Sequence, residues 1–333
     1  MKSKIIIVIM TAVITFSLAA CGGGNTGSGG SGYKKDTLTI AHQRDDVYFS
    51  LIPLVMRHNS LMEKYLPEGI AVEWKNIDVQ TDMRDAIVAG VVDIGVLPSS
   101  QLIIANAAGI PLIPISDFVG VRVGLYSFHD NIKSVDDIQV TTDKIFAASF
   151  GNASHTSFQI FCYEAFGDAQ KFDTNIAPMS YADMWASVES SDDLAVGLIA
   201  FSDNLKADAR PDLCTLILDL SPYVLNNSLG SMALTTEDFY NNNPTFIDAY
   251  RKASKEAVDF VLNNNHEAAV LLSNYWEYDI SIIENELSML PPSFGINESG
   301  FDALADFMFF IGTLKDEPRM LSEMPNYKDI PKN

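Results

Sequence analysis

Basic residues are scarce in this chain, where 22 Lys and Arg stand against 43 Asp and Glu and give 333 residues a net charge of −21. Nucleic-acid binding needs Lys and Arg to neutralise phosphates, so this composition argues against a nucleic-acid partner. Cysteine is scarcer still: three residues without a CxxC pair exclude a disulfide scaffold and make a zinc ribbon untenable. The five histidines are scattered, and none has metal-ligand spacing to a cysteine or another histidine.

Common catalytic motifs are also missing. The chain has no GxSxG nucleophile elbow, no HExxH zinc motif and no P-loop. Apolar residues nevertheless make up 47% of the sequence, which is enough for one large globular domain or two ordinary ones. These features indicate a globular protein and argue against the common enzyme classes, and they predict neither a metal nor a cofactor.

Long hydrophobic runs are limited to the N-terminus. The run from Ile5 to Leu18 follows Lys2 and Lys4 and has about fourteen residues, whereas a spanning helix needs roughly 20, so it is typical of a signal peptide. It ends in Leu-Ala-Ala-Cys21, which resembles the lipobox of bacterial lipoproteins. That resemblance implies lipidation of Cys21, cleavage before it and anchoring on the extracytoplasmic face of the cell membrane. The alternative is a buried cysteine that ends an ordinary apolar helix.

The segment from Gly22 to Gly32 consists of Gly, Ser, Asn and Thr, a composition typical of a flexible tether. After Thr37 the chain alternates short apolar runs with amphipathic stretches, which predicts a mostly parallel α/β sheet structure. The predicted strands lie at 38–42, 72–74, 93–97, 111–115, 121–128, 144–149, 194–200 and 216–218. Helices are predicted between them, and Pro244 is predicted at the first position of a long C-terminal helix.

Several phrases in this order resemble one protein family. They are Leu38–Gln43, Asp85–Gly95 with Pro98–Ser100, Ile132–Ile138 with Ser149–His155, and Thr235–Phe239 with Asn243–Tyr250. Together they are similar to the substrate-binding lipoproteins of ABC importers, in the sulfonate, nitrate and thiamine-precursor group. The resemblance implies an α/β, two-lobed type II periplasmic-binding fold with a ligand cleft between the lobes.

The resemblance also implies a division of the chain. Residues 1–20 are expected to form the signal peptide, and 21–35 the lipidated cysteine with its tether. Residues 36–120 are expected to begin lobe 1, 121–224 to form lobe 2, and 225–333 to return to lobe 1 and add the C-terminal helices. The mature protein is expected to be monomeric.

Ligand contacts are expected where strands end and helices begin, because open α/β folds bind ligands there and helix N-termini suit anionic or strongly polar groups. The candidate residues are His42, Gln43, Arg44, Ser99, Ser100, Asn152, Ser154, His155 and Thr156. Each has an alternative role. The serines are also good helix N-caps, the two histidines are otherwise internally satisfied polar residues, and Arg44 is otherwise paired with Asp45 or Asp46.

Other residues leave alternatives open. Tyr48 and Phe49 fit either a cleft wall or the core, and Cys162 and Cys214 fit either buried thiols or a disulfide. The acidic pair after Arg44 keeps a cationic ligand possible.

The sequence predicts a lipid-anchored receptor that captures a small polar organic molecule and delivers it to an ABC permease and its ATPase. A receptor of the same fold that serves a sensor or another partner is the alternative. An enzyme on this scaffold is the third interpretation.

Overall fold

The fold is described by a computed structural model that covers residues 35–43, 47–148, 150–190, 194–200, 202–224, 229–289 and 291–332. Strands and helices alternate through most of this length, as the sequence predicts. The strands are β1 (Thr37–His42), β2 (Ala71–Asn76), β3 (Ile94–Pro98), β4 (Leu112–Val119), β5 (Val123–Ser127), β6 (Lys144–Ala147), β7 (Ile176–Pro178), β8 (Leu194–Ala200), β9 (Thr215–Asp219) and β10 (Ser231–Thr236).

These strands form two five-stranded sheets. The first has the order β2-β1-β3-β10-β4, and the second has the order β7-β6-β8-β5-β9. We call each sheet with its helices a lobe, lobe 1 for the first sheet and lobe 2 for the second. Within each sheet one strand is antiparallel to its neighbours, β10 in lobe 1 and β5 in lobe 2. The predicted α/β architecture is confirmed, but the sheets are more mixed than the predicted, mostly parallel sheet. In each sheet two strand pairings are parallel and two are antiparallel, because β10 and β5 run against both of their neighbours.

The burial of individual strands follows from their places in the sheets. All seven residues of β8 are buried, as expected for an uninterrupted apolar run in a strand covered on both faces. The edge strand β2 instead alternates partly buried with exposed positions. Continuous apolar runs therefore mark central strands in this chain.

Helices cover both sheets. They are α1 (Val47–His58), α2 (Leu61–Tyr65), α3 (Gln80–Val88), α4 (Ser99–Ala107), α5 (Ala153–Phe166), α6 (Tyr181–Ser190), α7 (Ser202–Asp208), α8 (Glu237–Asn242), α9 (Pro244–Asn263), α10 (Asn265–Trp276), α11 (Ile280–Met289) and α12 (Glu298–Phe310). Pro244 begins α9 as predicted, and α9 buries the apolar stripe from Phe246 to Val261.

The chain crosses between the sheets at two places. The first crossover joins β4 to β5 and contains Arg122, and the second joins β9 to β10. The two crossovers meet lobe 1 at neighbouring strand ends, because Val119 at the end of β4 pairs with Ser231 at the start of β10. Polar residues near these points are therefore close to both lobes.

Both cysteines of the described residues are free buried thiols. Burial raises the pKa of Cys162 to about 12 and that of Cys214 to about 11, so neither is a reactive thiolate at neutral pH. The Cys214 thiol donates to the carbonyl of Ala207 at 3.3 Å. Cys162 and Cys214 are therefore buried thiols, and they do not form the disulfide that the sequence also allowed. Within the described part of the chain, no helix has the length and apolar character needed to cross a membrane.

Candidate functional site

The end of β1 places His42 and Gln43 in the protein interior, both nearly inaccessible to solvent. The His42 Nδ1–H donates to the Gln43 carbonyl at 3.0 Å. Burial lowers the pKa of His42, so its ring is neutral at pH 7 and its Nε2 carries a lone pair. Among the described residues, neither His42 Nε2 nor Gln43 Nε2 has a hydrogen-bond partner. This strand end thus has one acceptor and one donor available.

The start of α4 contains the two predicted serines, which are fully buried. The helix begins directly at the end of β3, so its N-cap is Pro98, which has no side-chain acceptor. Ser99 and Ser100 occupy the first helical positions, and the prediction that one of them is the N-cap is wrong. The Ser99 N–H donates to the Gly230 carbonyl at 3.1 Å, next to the second crossover. The Ser100 hydroxyl has no partner within the described structure.

The start of α5 is held by Asn152. Its side-chain Oδ1 accepts from the His155 N–H at 2.9 Å and from the Ser154 hydroxyl at 3.1 Å, so Asn152 is the N-cap and Ser154 is not. Thr156 is completely buried, and its hydroxyl finds no partner among the residues that the structure describes. Thr156 therefore has a buried hydroxyl that none of the described residues pairs.

His155 has protein partners at both ring nitrogens. Its Nδ1 accepts from the Gly151 N–H at 3.0 Å, which leaves the proton on Nε2, 3.1 Å from Asp173 Oδ1. Asp173 also accepts from Gln159 Nε2 at 3.1 Å. This arrangement supports a positioning role, in which His155 fixes the turn at Gly151, whose φ of 71° is in the left-handed region.

The turn at Gly151, which precedes α5 of lobe 2, lies close to residues of lobe 1. A methyl group on its Cα would lie 3.4 Å from Thr313 Cγ2 and 4.0 Å from Ile104 Cδ1, and Ile104 follows Ser100 by one turn of α4. The loop that leads into α5 therefore lies close to α4. Two of the sequence-predicted segments are neighbours in the structure. The third predicted segment includes Arg44, which lies outside the described residues, as does Cys21.

A polar cluster that the sequence did not predict lies in lobe 1, beside the start of β10. Tyr48, in the first turn of α1, donates its hydroxyl to the carboxylate of Glu286 on α11. Arg122 Nε lies 3.5 Å from Glu286 Oε1, and Arg122 Nη2 donates to Asp208 Oδ2 at 2.8 Å. Glu286 is 2% exposed, and burial raises its pKa to about 7. We call Tyr48, Arg122 and Glu286 the crossover cluster.

Hydrogen bonds link Tyr48 of the crossover cluster to the start of α4, where the predicted Ser99 and Ser100 lie. The Ser231 hydroxyl donates to the Tyr48 carbonyl at 3.1 Å, and Ser231 pairs with Pro98 at the end of β3. Nothing local to the sequence marks this cluster, since an acid within a short helical stretch is usually solvated. In the described residues no group of acids, histidines and cysteines could hold a metal ion.

A family model described as NMT1/THI5 like matches residues 65–268, which is more than half of the chain. The chain belongs to the NMT1/THI5-like family. The comparison with curated proteins gives no match.

Several solved structures are similar to this chain over most of its length. The alkanesulfonate-binding protein SsuA of Xanthomonas axonopodis bound to MOPS has 14% identity and a TM-score of 0.72, over 88% of this chain and 99% of that chain. The periplasmic aliphatic sulphonate-binding protein SsuA of Escherichia coli has 19% identity and a TM-score of 0.68, over 89% and 100%. The periplasmic nitrate-binding protein NrtA of Synechocystis has 15% identity and a TM-score of 0.66, over 85% and 83%.

At these identities the structural likeness establishes the fold alone. The predicted periplasmic-binding-protein fold is confirmed, and so is the predicted resemblance to this family. The three neighbours are binding proteins by name, two for sulfonates and one for nitrate, and the prediction of a binding protein that is not an enzyme agrees with them.

Proposed function

We propose that this protein is an extracytoplasmic solute-binding protein, anchored by a lipid on Cys21, that delivers a small polar organic molecule to an ABC importer. The proposed ligand is of the sulfonate, nitrate-like or pyrimidine (thiamine-precursor) class. One observation carries the proposal: among the described residues, polar atoms at the starts of α4 and α5 and at the end of β1 are buried and have no hydrogen-bond partner. Native proteins pair nearly all such atoms with protein groups, ordered water or a ligand, so these atoms are available to a bound molecule.

The proposed ligand-contacting atoms include donors and acceptors. Gln43 Nε2 is a donor, the hydroxyls of Ser100 and Thr156 can donate or accept, and His42 Nε2 accepts. The N–H groups of Ser99 and His155 are used within the chain, and the positive ends of the α4 and α5 helix dipoles favour an anionic group beside these turns. Such a set recognises a molecule with both polar and charged groups.

The two crossovers support a closing motion. We propose that residues 36–120 and 225–333 form lobe 1, that residues 121–224 form lobe 2, and that the cleft lies between them. The strand membership of the sheets supports these limits, because β1 to β4 and β10 lie in one sheet and β5 to β9 in the other. A ligand that contacts both lobes selects the closed form through its extra contacts.

The closed form is the proposed signal to the importer. A permease that recognises the closed arrangement of the lobes would accept the ligand-loaded protein, and its ATPase would drive transport. We propose a monomeric receptor with no nucleic-acid partner, in keeping with its acidic composition.

The test is a thermal-shift screen of the mature domain against sulfonates, nitrate, pyrimidines, flavins and amines. A ligand that binds only the native state adds RT ln(1 + [L]/Kd) to stability, so a true ligand raises the melting temperature with its concentration. Thr156→Val is the matched variant, because it removes an unpaired hydroxyl at nearly constant volume, and Thr156→Ser keeps the hydroxyl. We expect a hit whose shift is reduced in Thr156→Val and retained in Thr156→Ser. If no solute shifts the melting temperature, the receptor function is refuted.

A further inference from the structure

The side chain of Arg122 contacts both lobes. Arg122 lies in the first crossover, and its Nη2 donates to Asp208 Oδ2 on α7 of lobe 2 at 2.8 Å. Its Nε lies 3.5 Å from Oε1 of Glu286, on α11 of lobe 1. The Arg122 side chain is only 18% exposed, so solvent screens these contacts less than it screens an ion pair at the surface. One largely buried guanidinium is therefore shared between a carboxylate of each lobe.

The contact of Arg122 with lobe 2 is fixed by further hydrogen bonds. Tyr126 on β5 donates its hydroxyl to Asp208 Oδ1 at 2.8 Å, so both oxygens of Asp208 are used. Asn204 on α7 donates its Nδ2 to the Arg122 carbonyl at 2.7 Å. Both the backbone and the side chain of Arg122 are thus bonded to α7, and we expect Arg122 to move with lobe 2.

Glu286 is held in lobe 1. Tyr48 on α1 donates its hydroxyl to the Glu286 carboxylate, and α11 packs against α10, which in turn contacts α1 and α9. Glu286 is therefore expected to move with lobe 1. The distance between Arg122 and Glu286 consequently depends on how the two lobes are arranged.

The ion pair between Arg122 and Glu286 is incomplete. At 3.5 Å the Nε–H does not form a hydrogen bond with Glu286, whereas N–H···O bonds between charged groups are about 2.7–2.9 Å long. Arg122 Nε is a buried donor and Glu286 Oε2 is a buried acceptor, and neither has a partner among the described residues. Leaving them unpaired is unfavourable. A change of roughly 1 Å in their separation would bring the unused donor to the carboxylate.

We propose that Arg122 and Glu286 form an ionic latch between the lobes, in which a small movement at the first crossover completes their hydrogen bond and holds the lobes in one arrangement. Both are positioning residues, because the latch acts between the lobes and requires no contact with a ligand. The inference rests on the proposed closing motion and is independent of which solute binds. A hydrogen bond between charged groups is strong enough to favour one arrangement about tenfold over others.

The experiment measures the distance between the lobes in the mature protein without added solute, by pulsed electron spin resonance. Spin labels are attached at Glu68→Cys in lobe 1 and Glu164→Cys in lobe 2, two exposed positions. The measurement is made at pH 8, where Glu286 is mostly ionised because burial raises its pKa only to about 7. We expect one main distance in the wild-type protein. Glu286→Gln is expected to lower the population of that distance, relative to all others, about tenfold.

Glu284→Gln is the matched control. Glu284 lies on the same helix, is more exposed than Glu286 and pairs with His266, so the variant removes the same charge without touching the latch. It is expected to leave the distances unchanged.

Asp208→Asn tests the other end of the latch. It removes the charge that holds Arg122 to α7, and Asp208 is 45% exposed, so the folded domain tolerates the change. We expect a shift in the same direction as in Glu286→Gln. Because both variants act on one latch, the double variant is expected to match Glu286→Gln alone and not the sum of the two effects.

The outcomes separate the latch from the function on which it rests. If Glu286→Gln has the wild-type distances, or if Glu284→Gln changes them equally, the latch is overturned, and additive effects of Glu286→Gln and Asp208→Asn overturn it as well. Arg122→Lys, which keeps the charge but cannot bond both carboxylates as a guanidinium does, repeats the comparison if Glu286→Gln does not fold. None of these results bears on the solute screen, which alone decides the proposed function.

Discussion

At the scale of single residues, Asn152 and Thr156 show how neighbouring polar side chains take different roles. The Asn152 oxygen is saturated by the N–H of His155 and the Ser154 hydroxyl, while the Thr156 hydroxyl is buried and unpaired within the described structure. Both residues follow the same loop, and both types are common at helix starts. The sequence identified the helix start, and the contacts determine which side chain is available to a ligand.

Glu286 is expected to make the free energy of unfolding depend on pH in the ligand-free protein. Its pKa is about 7 in the folded state and about 4.5 when solvated, so its contribution is fully favourable below pH 4.5 and is lost as pH rises through 7. Glu286→Gln has no carboxyl group to ionise, so its free energy of unfolding does not decrease in this way as pH rises. Relative to wild type, the variant should gain up to about 3 kcal/mol between pH 4.5 and pH 8.

Urea unfolding at a series of pH values measures this difference. Glu284→Gln is the control for the removal of one negative charge from α11, because Glu284 lies on the same helix and is more exposed than Glu286. Equal pH dependence in the two variants would show that the buried carboxylate is not the source.

At the scale of elements, the start of a helix depends on how the preceding strand ends. The chain turns into α4 directly after β3, so Pro98 is the N-cap and both serines fall inside the helix. Before α5 an additional turn at Gly151 leaves room for Asn152 to act as the cap. The sequence predicted both helices, but it did not predict the cap residues, because a shift of one or two residues changes which side chain meets the free N–H groups.

Asn152→Ala is expected to lower the free energy of unfolding by about 1 kcal/mol, because the variant leaves the His155 N–H without its acceptor. Asn152→Asp keeps an acceptor oxygen at the same position and is the matched control. Chemical denaturation of both variants gives the comparison. Equal stability of wild type and Asn152→Ala would contradict the assignment of Asn152 as the N-cap.

At the scale of the whole molecule, the order of strands follows from the two crossovers. β5 enters lobe 2 and β10 returns to lobe 1, and each is inserted antiparallel between two strands of its sheet. The resemblance to importer receptors predicted this two-sheet arrangement, and the composition did not. Alternating strands and helices alone are equally compatible with a single larger sheet.

The predicted signal peptide and Cys21 lead to a prediction about where the protein is found in its cell. Cys21→Ser removes the sulfur to which we propose that the lipid is attached, so the variant is expected to leave the membrane fraction or to retain its signal peptide. Membrane fractionation with mass measurement of the product tests this expectation. Cys162→Ser is the control, because Cys162 is a buried thiol of the folded domain and should not alter anchoring. Normal lipidation of Cys21→Ser would contradict the lipobox interpretation.

The sequence by itself determined the features that depend on neighbouring residues. These are the apolar run before Cys21, the alternation of strands and helices, and the helix starts that contain Ser99, Ser100 and Thr156. Only the tertiary structure decided which of these polar atoms are left without partners. It alone brought Tyr48 to Glu286 across 238 positions of sequence, with Arg122 beside them. Local sequence patterns predict which residues become buried. Contacts between residues as far apart as Tyr48 and Glu286 depend instead on the order of the strands and on the crossovers.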